Sequence, residues 1–426
     1  MSTFLAYIEP VAGRLYPLID TFTELIRRGH RVTVRTGPDQ VELLGTLAIP
    51  AQELAAPIQT FQPLDWQART RFGALFKGLG QFGARAQHQV PDLQQAIQDE
   101  RPDVLILDET SWGAAAAAEA SGLRWAFSVP SPVPIPSRDV PPFGLGLNPR
   151  HDRAGRLRDR AIAPLTTGTL ARLIASYANP LRRQLGLPAL HALGDFYLAA
   201  DLVLAYTAEP FEYPRSDWPA KVRLVGPGLW EPPADPPTWL ADLQHPLVLA
   251  TCSTLHQNDL RLAAATCRAL AQAPFDVVLT IGEADPETLD VPPNVRVERY
   301  VPHTPVLQRA VCVICHAGMG ITQKALAHGV PVVAVPFGRD QPEVARRVEV
   351  ARAGVRLPAN RATPDHLRQA VDDAMSMRPG AQHIAEAFAA SGGPIAAADA
   401  LEALTRTDNP PPAARPAGHR PPGITR

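Results

Sequence analysis

Val311-Cys-Val-Ile-Cys-His-Ala-Gly-Met-Gly-Ile-Thr-Gln-Lys-Ala-Leu326 is the most informative stretch of the chain. Its first five residues are apolar and read as a buried strand ending at Cys315. His316, Ala317, Gly318, Met319 and Gly320 then make a small-residue turn into a helix starting near Ile321 or Thr322. A helix that opens on such a turn presents unpaired backbone N–H groups and the positive end of its dipole. Glycine lets a phosphate approach the backbone closely. The arrangement suits a diphosphate, with His316 and Thr322 adding side-chain donors. The alternative is a strand-to-helix turn that binds nothing.

Reading onward, another apolar strand, Pro331 to Val335, leads into Val335-Pro-Phe-Gly-Arg-Asp-Gln-Pro-Glu343. Asp340 and Gln341 stand at the start of the next helix. A carboxylate beside an amide offers the acceptors and donor that a row of sugar hydroxyls needs; Asp340 also suits an N-cap. Reading backward, strands are expected at Leu247–Thr251, Asp276–Thr280 and Val295–Val301, with helices between them.

The N-terminal half repeats this alternation. Phe4 to Ile8 is a strand, and the turn Pro10-Val-Ala-Gly-Arg14 follows. Leu15, Leu18, Ile19, Phe22, Leu25 and Ile26 share one helix face, and Gly29 stops that helix. Arg31 to Arg35 is the second strand, so the unit is βαβ, the building block of parallel sheets. Val104–Leu107 and Trp125–Val129 are further strands around the Ala-rich helix Gly113–Ala120. A Pro-rich loop, Pro130 to Pro149, is too long for a routine connection. It lines a binding site or is a surface insertion. Arg153 to Leu185 reads mostly as helix. The expected organisation is therefore two doubly wound α/β domains, 1–225 and 238–406, a linker at 226–237 and a disordered Pro-rich tail at 407–426. The last helix of the second domain is allowed to cross back to the first. Ligands then belong in the cleft beyond the carboxyl ends of the strands.

Composition removes other classes. The 426 residues carry 41 Lys+Arg against 42 Asp+Glu, a balance that speaks against nucleic acid or an anionic membrane as partner. At 46% hydrophobic residues the chain has the material for a large core. Four cysteines make no disulfide framework, the first ten residues have no basic signal-peptide start, and no long uncharged apolar run suggests a membrane span. A cytoplasmic protein is expected. Cys312-Val-Ile-Cys315-His316 matches a haem-attachment spacing, but strand alternation splits the two thiols, and no second cysteine pair exists for zinc. No cofactor or metal is expected.

His316-Ala-Gly-Met-Gly-Ile-Thr322, Gly329-Val-Pro-Val-Val333 and Asp340-Gln341 together resemble the C-terminal signature of the UDP-glycosyltransferase family, which includes macrolide and other natural-product glycosyltransferases of the GT-B fold. The N-terminal strand–turn–helix ending Gly13-Arg-Leu-Tyr-Pro17, the segment Val225-Gly-Pro227, Tyr300-Val-Pro-His303 and Ser253-Thr254 extend the resemblance over nearly the whole chain. It implies two Rossmann-like domains facing a central cleft, and transfer of a hexose from a nucleotide diphosphate sugar to a small, hydrophobic acceptor. It also implies an inverting, metal-independent reaction. The C-terminal domain would hold the donor. His316, Gly318, Met319, Gly320, Ile321 and Thr322 would surround the diphosphate, with Ser253 and Thr254 beside it. Tyr300, Val301 and His303 would close over the base; for His303 a surface-loop role is the alternative. Asp340 and Gln341 would hold the sugar. The acceptor would lie in the N-terminal domain.

Two positions depart from that pattern. The family places a general-base His where this chain has Arg14, whose pKa is far too high for that task. The partner Asp corresponds to Asp108, and an Arg14–Asp108 ion pair is expected. The base is then Asp108 or another carboxylate such as Glu9, or the acceptor ionises readily and Arg14 binds its anionic form, or the protein is a catalytically weak auxiliary; a structural salt bridge is the alternative for Arg14. The second departure is Lys324, where uridine-dependent relatives often carry a ribose-binding Glu. Lys is only a donor, which leaves a dTDP-sugar at least as suitable as a UDP-sugar. The alternative is a solvent-facing Lys.

Overall fold

The computed structural model describes residues 1–59, 65–68, 71–253 and 259–406. Thr254 and the 407–426 tail therefore lie outside the described residues. The N-terminal half forms a seven-stranded sheet from β1 (Thr3–Tyr7), β2 (Arg31–Thr36), β3 (Ala51–Glu53), β4 (Val104–Asp108), β5 (Arg124–Val129), β6 (Leu202–Ala205) and β7 (Val222–Leu224). Its order is 3-2-1-4-5-6-7 and every pairing is parallel. The second half forms a six-stranded sheet from β8 (Leu247–Thr251), β9 (Asp276–Thr280), β10 (Val295–Glu298), β11 (Ala310–Cys315), β12 (Val332–Ala334) and β13 (Gly354–Arg356). Its order is 10-9-8-11-12-13, again all parallel.

Both sheets are covered on both faces, as parallel sheets require. Alternation divides each strand between two cores. Phe4 and Ala6 pack with the Ala12–Arg27 helix, whereas Leu5 and Tyr7 pack on the other side with Trp112, Phe127 and the Arg71–Glu100 helix. Cys312 and Cys315 likewise belong to opposite cores, and burial pushes their thiols up to about 12 and about 11. The two thiols therefore face away from each other across the sheet.

The two halves touch at several points. The Gly393–Leu404 helix buries Ala397, Ala398 and Leu401 against the Ala12–Arg27 helix, and Arg28 pairs with Asp399 at 2.6 Å and Glu402 at 3.0 Å. The Pro130–Pro149 loop reaches across as well. Its Gly144 and Gly146 N–H groups donate to Glu343 on the Gln341–Val350 helix at 2.7 and 2.8 Å. Gly146 has φ +57°, and a Cβ there would collide with the Pro342 carbonyl. Glu343 also meets Arg347, which pairs with the fully buried Glu212 at 2.8 Å. A long loop is thus clamped between the halves by buried, mutually compensating charges.

Candidate active site

The site starts at the carboxyl end of β11. Ala317 takes a left-handed conformation, φ +63°, and Gly318 is the N-cap of a helix spanning Met319–Ala327. The helix therefore begins two to three residues earlier than the sequence suggests. No side chain caps it. The N–H groups of Met319, Gly320 and Ile321 are those a helix leaves unpaired, since the first intrahelical bond runs from Thr322 N to Gly318 O. A Cβ on Gly318 would collide with His316 Nε2, so glycine is required for the imidazole to lie across the turn. Among the described residues nothing lies within 4 Å of where a Cβ on Gly320 would be. This open, positively polarised turn fits an anion.

His316 is 9% exposed, and its Nδ1 is buried with no hydrogen-bond partner among the described residues. Burial, against the pull of Asp259, lowers its pKa to about 4. It is therefore a neutral donor or acceptor at pH 7. Met319 and Ile321 turn their side chains into the core, so they offer only backbone N–H. Thr322 is fully buried with its hydroxyl 3.7 Å from Cys315 Sγ, tucked behind the turn. The Ser253 N–H donates to Asp259 at 2.6 Å.

Asp340 and Gln341 divide the work expected of them. Asp340 is at the N-cap position of its helix, but its carboxylate makes no capping bond. Burial raises its pKa, opposed by Arg14 from the other half. Gln341 is 2% exposed, and its amide oxygen accepts from Phe337 N at 2.8 Å and Gly338 N at 3.0 Å, which fixes the loop carrying Asp340. Next to Asp340, Arg339 forms a two-pronged pair with Asp65 of the N-terminal half at 2.7 and 2.9 Å.

At the far end of the Met319–Ala327 helix, Lys324 is not solvent-facing. Its Nζ lies 2.7 Å from Glu231 Oε2, a linker residue that the sequence reading passed over. Glu231 also accepts from His303 N at 3.1 Å and Thr304 N at 2.9 Å. Burial alone would raise its carboxyl, but the Lys324 and Thr304 hydrogen bonds outweigh it and hold the pKa at about 2. His303 opens the His303–Leu307 helix, with Nε2 3.4 Å from Thr280 Oγ1; burial and nearby Lys324 lower its pKa to about 4. Tyr300 is exposed beside it, and Val301 is a core residue.

Facing this, the turn after β1 carries Glu9 and Arg14. The expected Arg14–Asp108 ion pair does not form. Arg14 Nη1 instead meets Glu109 Oε1 at 2.5 Å. Asp108, the last residue of β4, is fully buried and receives Glu9 N at 2.6 Å, Ser111 Oγ at 3.0 Å, Thr110 N at 2.8 Å and the Thr110 hydroxyl. The turn into the Trp112–Ser121 helix folds back on Asp108, and the next side chain, Glu109, projects to Arg14. Glu109 also accepts from Ser131 Oγ at 2.5 Å and Tyr197 Oη at 2.8 Å. Glu9 is sealed, paired with Arg85 at 2.6 Å and hydrogen-bonded by Gln89. Burial, opposed by Arg85, lifts its pKa to about 8.

Two parallel-sheet α/β domains of seven and six strands, one with an uncapped helix turn at a strand end, are the GT-B plan of sugar-transferring enzymes. Known proteins agree. A family model for the erythromycin biosynthesis protein CIII-like C-terminal domain matches residues 264–404. The 4'-demethylrebeccamycin synthase of Lentzea aerocolonigenes is 34% identical over 417 residues, covering 94% of this chain and 99% of its own. The glycosyltransferase of kitacinnamycin superposes with TM-score 0.72 at 23% identity, covering 95% of this chain and 98% of that one. The glycosyltransferase VinC in complex with dTDP gives 0.66 at 22%, covering 95% and 99%. The chain belongs to the UDP-glycosyltransferase family of natural-product glycosyltransferases and is itself an enzyme of that kind. Among the described residues, no helix is long and apolar enough to cross a membrane.

Proposed function

We propose that the protein transfers a hexose from a nucleoside diphosphate sugar, dTDP preferred to UDP, to a small hydrophobic natural-product acceptor, with inversion and without a metal ion. The observation that carries this reading is the uncapped turn at Gly318, open at Gly320 and backed by neutral His316. Its N–H groups and the helix dipole stabilise the leaving diphosphate where a cation would otherwise be needed. Asp340 is placed to accept from sugar hydroxyls. The acceptor enters from the N-terminal side, past Arg14.

The nucleotide preference rests on Glu231. A carboxylate has about four acceptor sites, and three are taken by Lys324, His303 and Thr304. One remains, which suits a deoxyribose with its single free hydroxyl better than a ribose with two. The neighbour bound to dTDP supports the same choice.

Thermal stabilisation by dTDP, UDP, GDP and ADP tests the donor site. A ligand at about 100 times its Kd stabilises by about 2.7 kcal/mol. dTDP is expected to raise Tm most, and His316→Ala to abolish most of that rise. Lys324→Met frees acceptor sites on Glu231 and is expected to narrow the dTDP preference. No shift with any nucleotide at millimolar concentration would refute the donor site.

A further inference from the structure

Transfer requires the acceptor's nucleophilic atom to lose a proton, and the cleft offers that proton poor hosts. Arg14 stays charged: burial disfavours its charge, but Glu109, Asp108 and Asp340 around it more than compensate. Asp108 accepts four hydrogen bonds and is closed to solvent. Glu109 accepts three and is 6% exposed. Glu9 sits behind Asp108, fully buried against Arg85 and Gln89. Carboxylates buried this deeply and held by several partners are not open to an acceptor proton. Of the other carboxylates at the cleft, Glu231 is committed to Lys324 and Asp65 to Arg339, and Asp340 lies on the C-terminal side.

The same turn is well made for the opposite task. Arg14 commits one N–H to Glu109, keeps 22% of its side chain exposed, and has further donors in a rigid fork. It stands in the first turn of the Ala12–Arg27 helix, which has no side-chain cap. Glu109, itself gripped by Tyr197 and Ser131, prevents the guanidinium from swinging away.

We infer that the acceptor reacts as an anion: its nucleophile is an acidic O–H or N–H of the phenol, enol or conjugated-heterocycle class, and Arg14 binds the deprotonated atom. The inference rests on the transfer reading above and specifies its acceptor. The proton passes to bulk water before the chemical step. A lone pair of the anion then forms the bond to the anomeric carbon as the bond from that carbon to the diphosphate oxygen breaks, and its electron pair leaves with the nucleoside diphosphate. Arg14 is catalytic in this scheme, and Glu109 is a positioning residue.

7-Hydroxycoumarin is a suitable probe because its anion absorbs at a distinct wavelength. Its ionisation is titrated free and bound to wild type, Arg14→Gln, Arg14→Lys, Glu109→Gln and Asp340→Asn. Wild type is expected to raise the ionised-to-neutral ratio at a given pH about 10- to 100-fold, the effect of a cation within contact distance. Arg14→Gln abolishes the rise, Arg14→Lys restores part of it, Glu109→Gln reduces it, and Asp340→Asn, which removes a negative charge near Arg14, increases it. In transfer assays with a dTDP-sugar and UDP-sugar panel, 7-hydroxycoumarin is accepted, while 7-(hydroxymethyl)coumarin, an alcohol on the same skeleton, is at least 1000-fold slower on the arithmetic of unassisted ionisation, roughly. The inference is overturned if the probe does not bind wild type, if its bound ionisation is unchanged or suppressed, if Arg14→Gln matches wild type, or if the alcohol reacts comparably. Failure of the transfer reading itself shows separately, as the absence of nucleotide stabilisation. Where no sugar in the panel is transferred, the titration alone decides.

Discussion

The turn after β11 and the turn after β1 face one cleft and are built by opposite means. On the proposed donor side the binding groups are in the backbone: unpaired N–H groups, a glycine under an imidazole, and space at Gly320. On the proposed acceptor side they are in side chains, with Asp108 and Glu109 each tied to several partners and Arg14 held by Glu109. A backbone site needs only a few small residues in one stretch. A side-chain site depends on residues far apart in the chain, so a single exchange at Arg14 redirects it.

The first turn should therefore fail by steric blockage and the second by lost hydrogen bonding. Gly318→Val drives a branched side chain into His316 and should cut transfer by about 100-fold or more, as removal of an oxyanion donor does. Transfer within threefold of wild type would break the contrast. Asp108→Ala strands buried donors on Glu9, Thr110 and Ser111, at about 1–3 kcal/mol each, less what relaxation recovers. A net loss of about 2–4 kcal/mol in urea unfolding is expected, with dTDP stabilisation retained. Unchanged turnover would remove Asp108 from the acceptor site.

Gly320→Ala gives a finer test. Alanine favours a helix by up to about 1 kcal/mol over glycine, and the space there is open. The free protein should be slightly more stable while binding dTDP more weakly; equal or tighter binding would show that phosphate does not approach at Gly320. A separate effect is in pH. Glu9 has a folded-state pKa of about 8, above its ordinary value. The folded state then holds a proton that the unfolded state has released, so stability falls as pH rises from about 4.5 through about 8. Glu9→Gln should flatten that part of the Tm–pH curve, and an unaltered slope would assign it to other groups.

The contrast also explains what was legible. Strands β1, β4, β5, β8, β9 and β11 are apolar runs, and the turn at His316 announces itself by composition. Strands β3, β7 and β13 have three residues each, too few for a pattern. The Arg71–Glu100 helix carries Gly73, Gly78, Gly80, Gly83 and Pro91, so propensity argues against it. Its glycines admit neighbours instead; a Cβ on Gly83 would strike the Tyr177 ring. Glu231, in a proline cluster, reads as linker until Lys324 is seen beside it. Glu109 was missed by one position, because only the fold shows which of two adjacent carboxylates the turn buries and which it sends to Arg14.

The Gly393–Leu404 helix has a practical meaning for recombining such enzymes. It is encoded with the C-terminal half, the proposed donor half, but completes the core under the Ala12–Arg27 helix of the N-terminal, proposed acceptor half. A hybrid joined only at residues 226–237 would graft a foreign helix onto the acceptor half and mismatch Arg28 with its two carboxylates. The sounder exchange has two crossovers, one in the linker and one just before Gly393, so that the donor cassette is replaced from within while each half keeps its own interior.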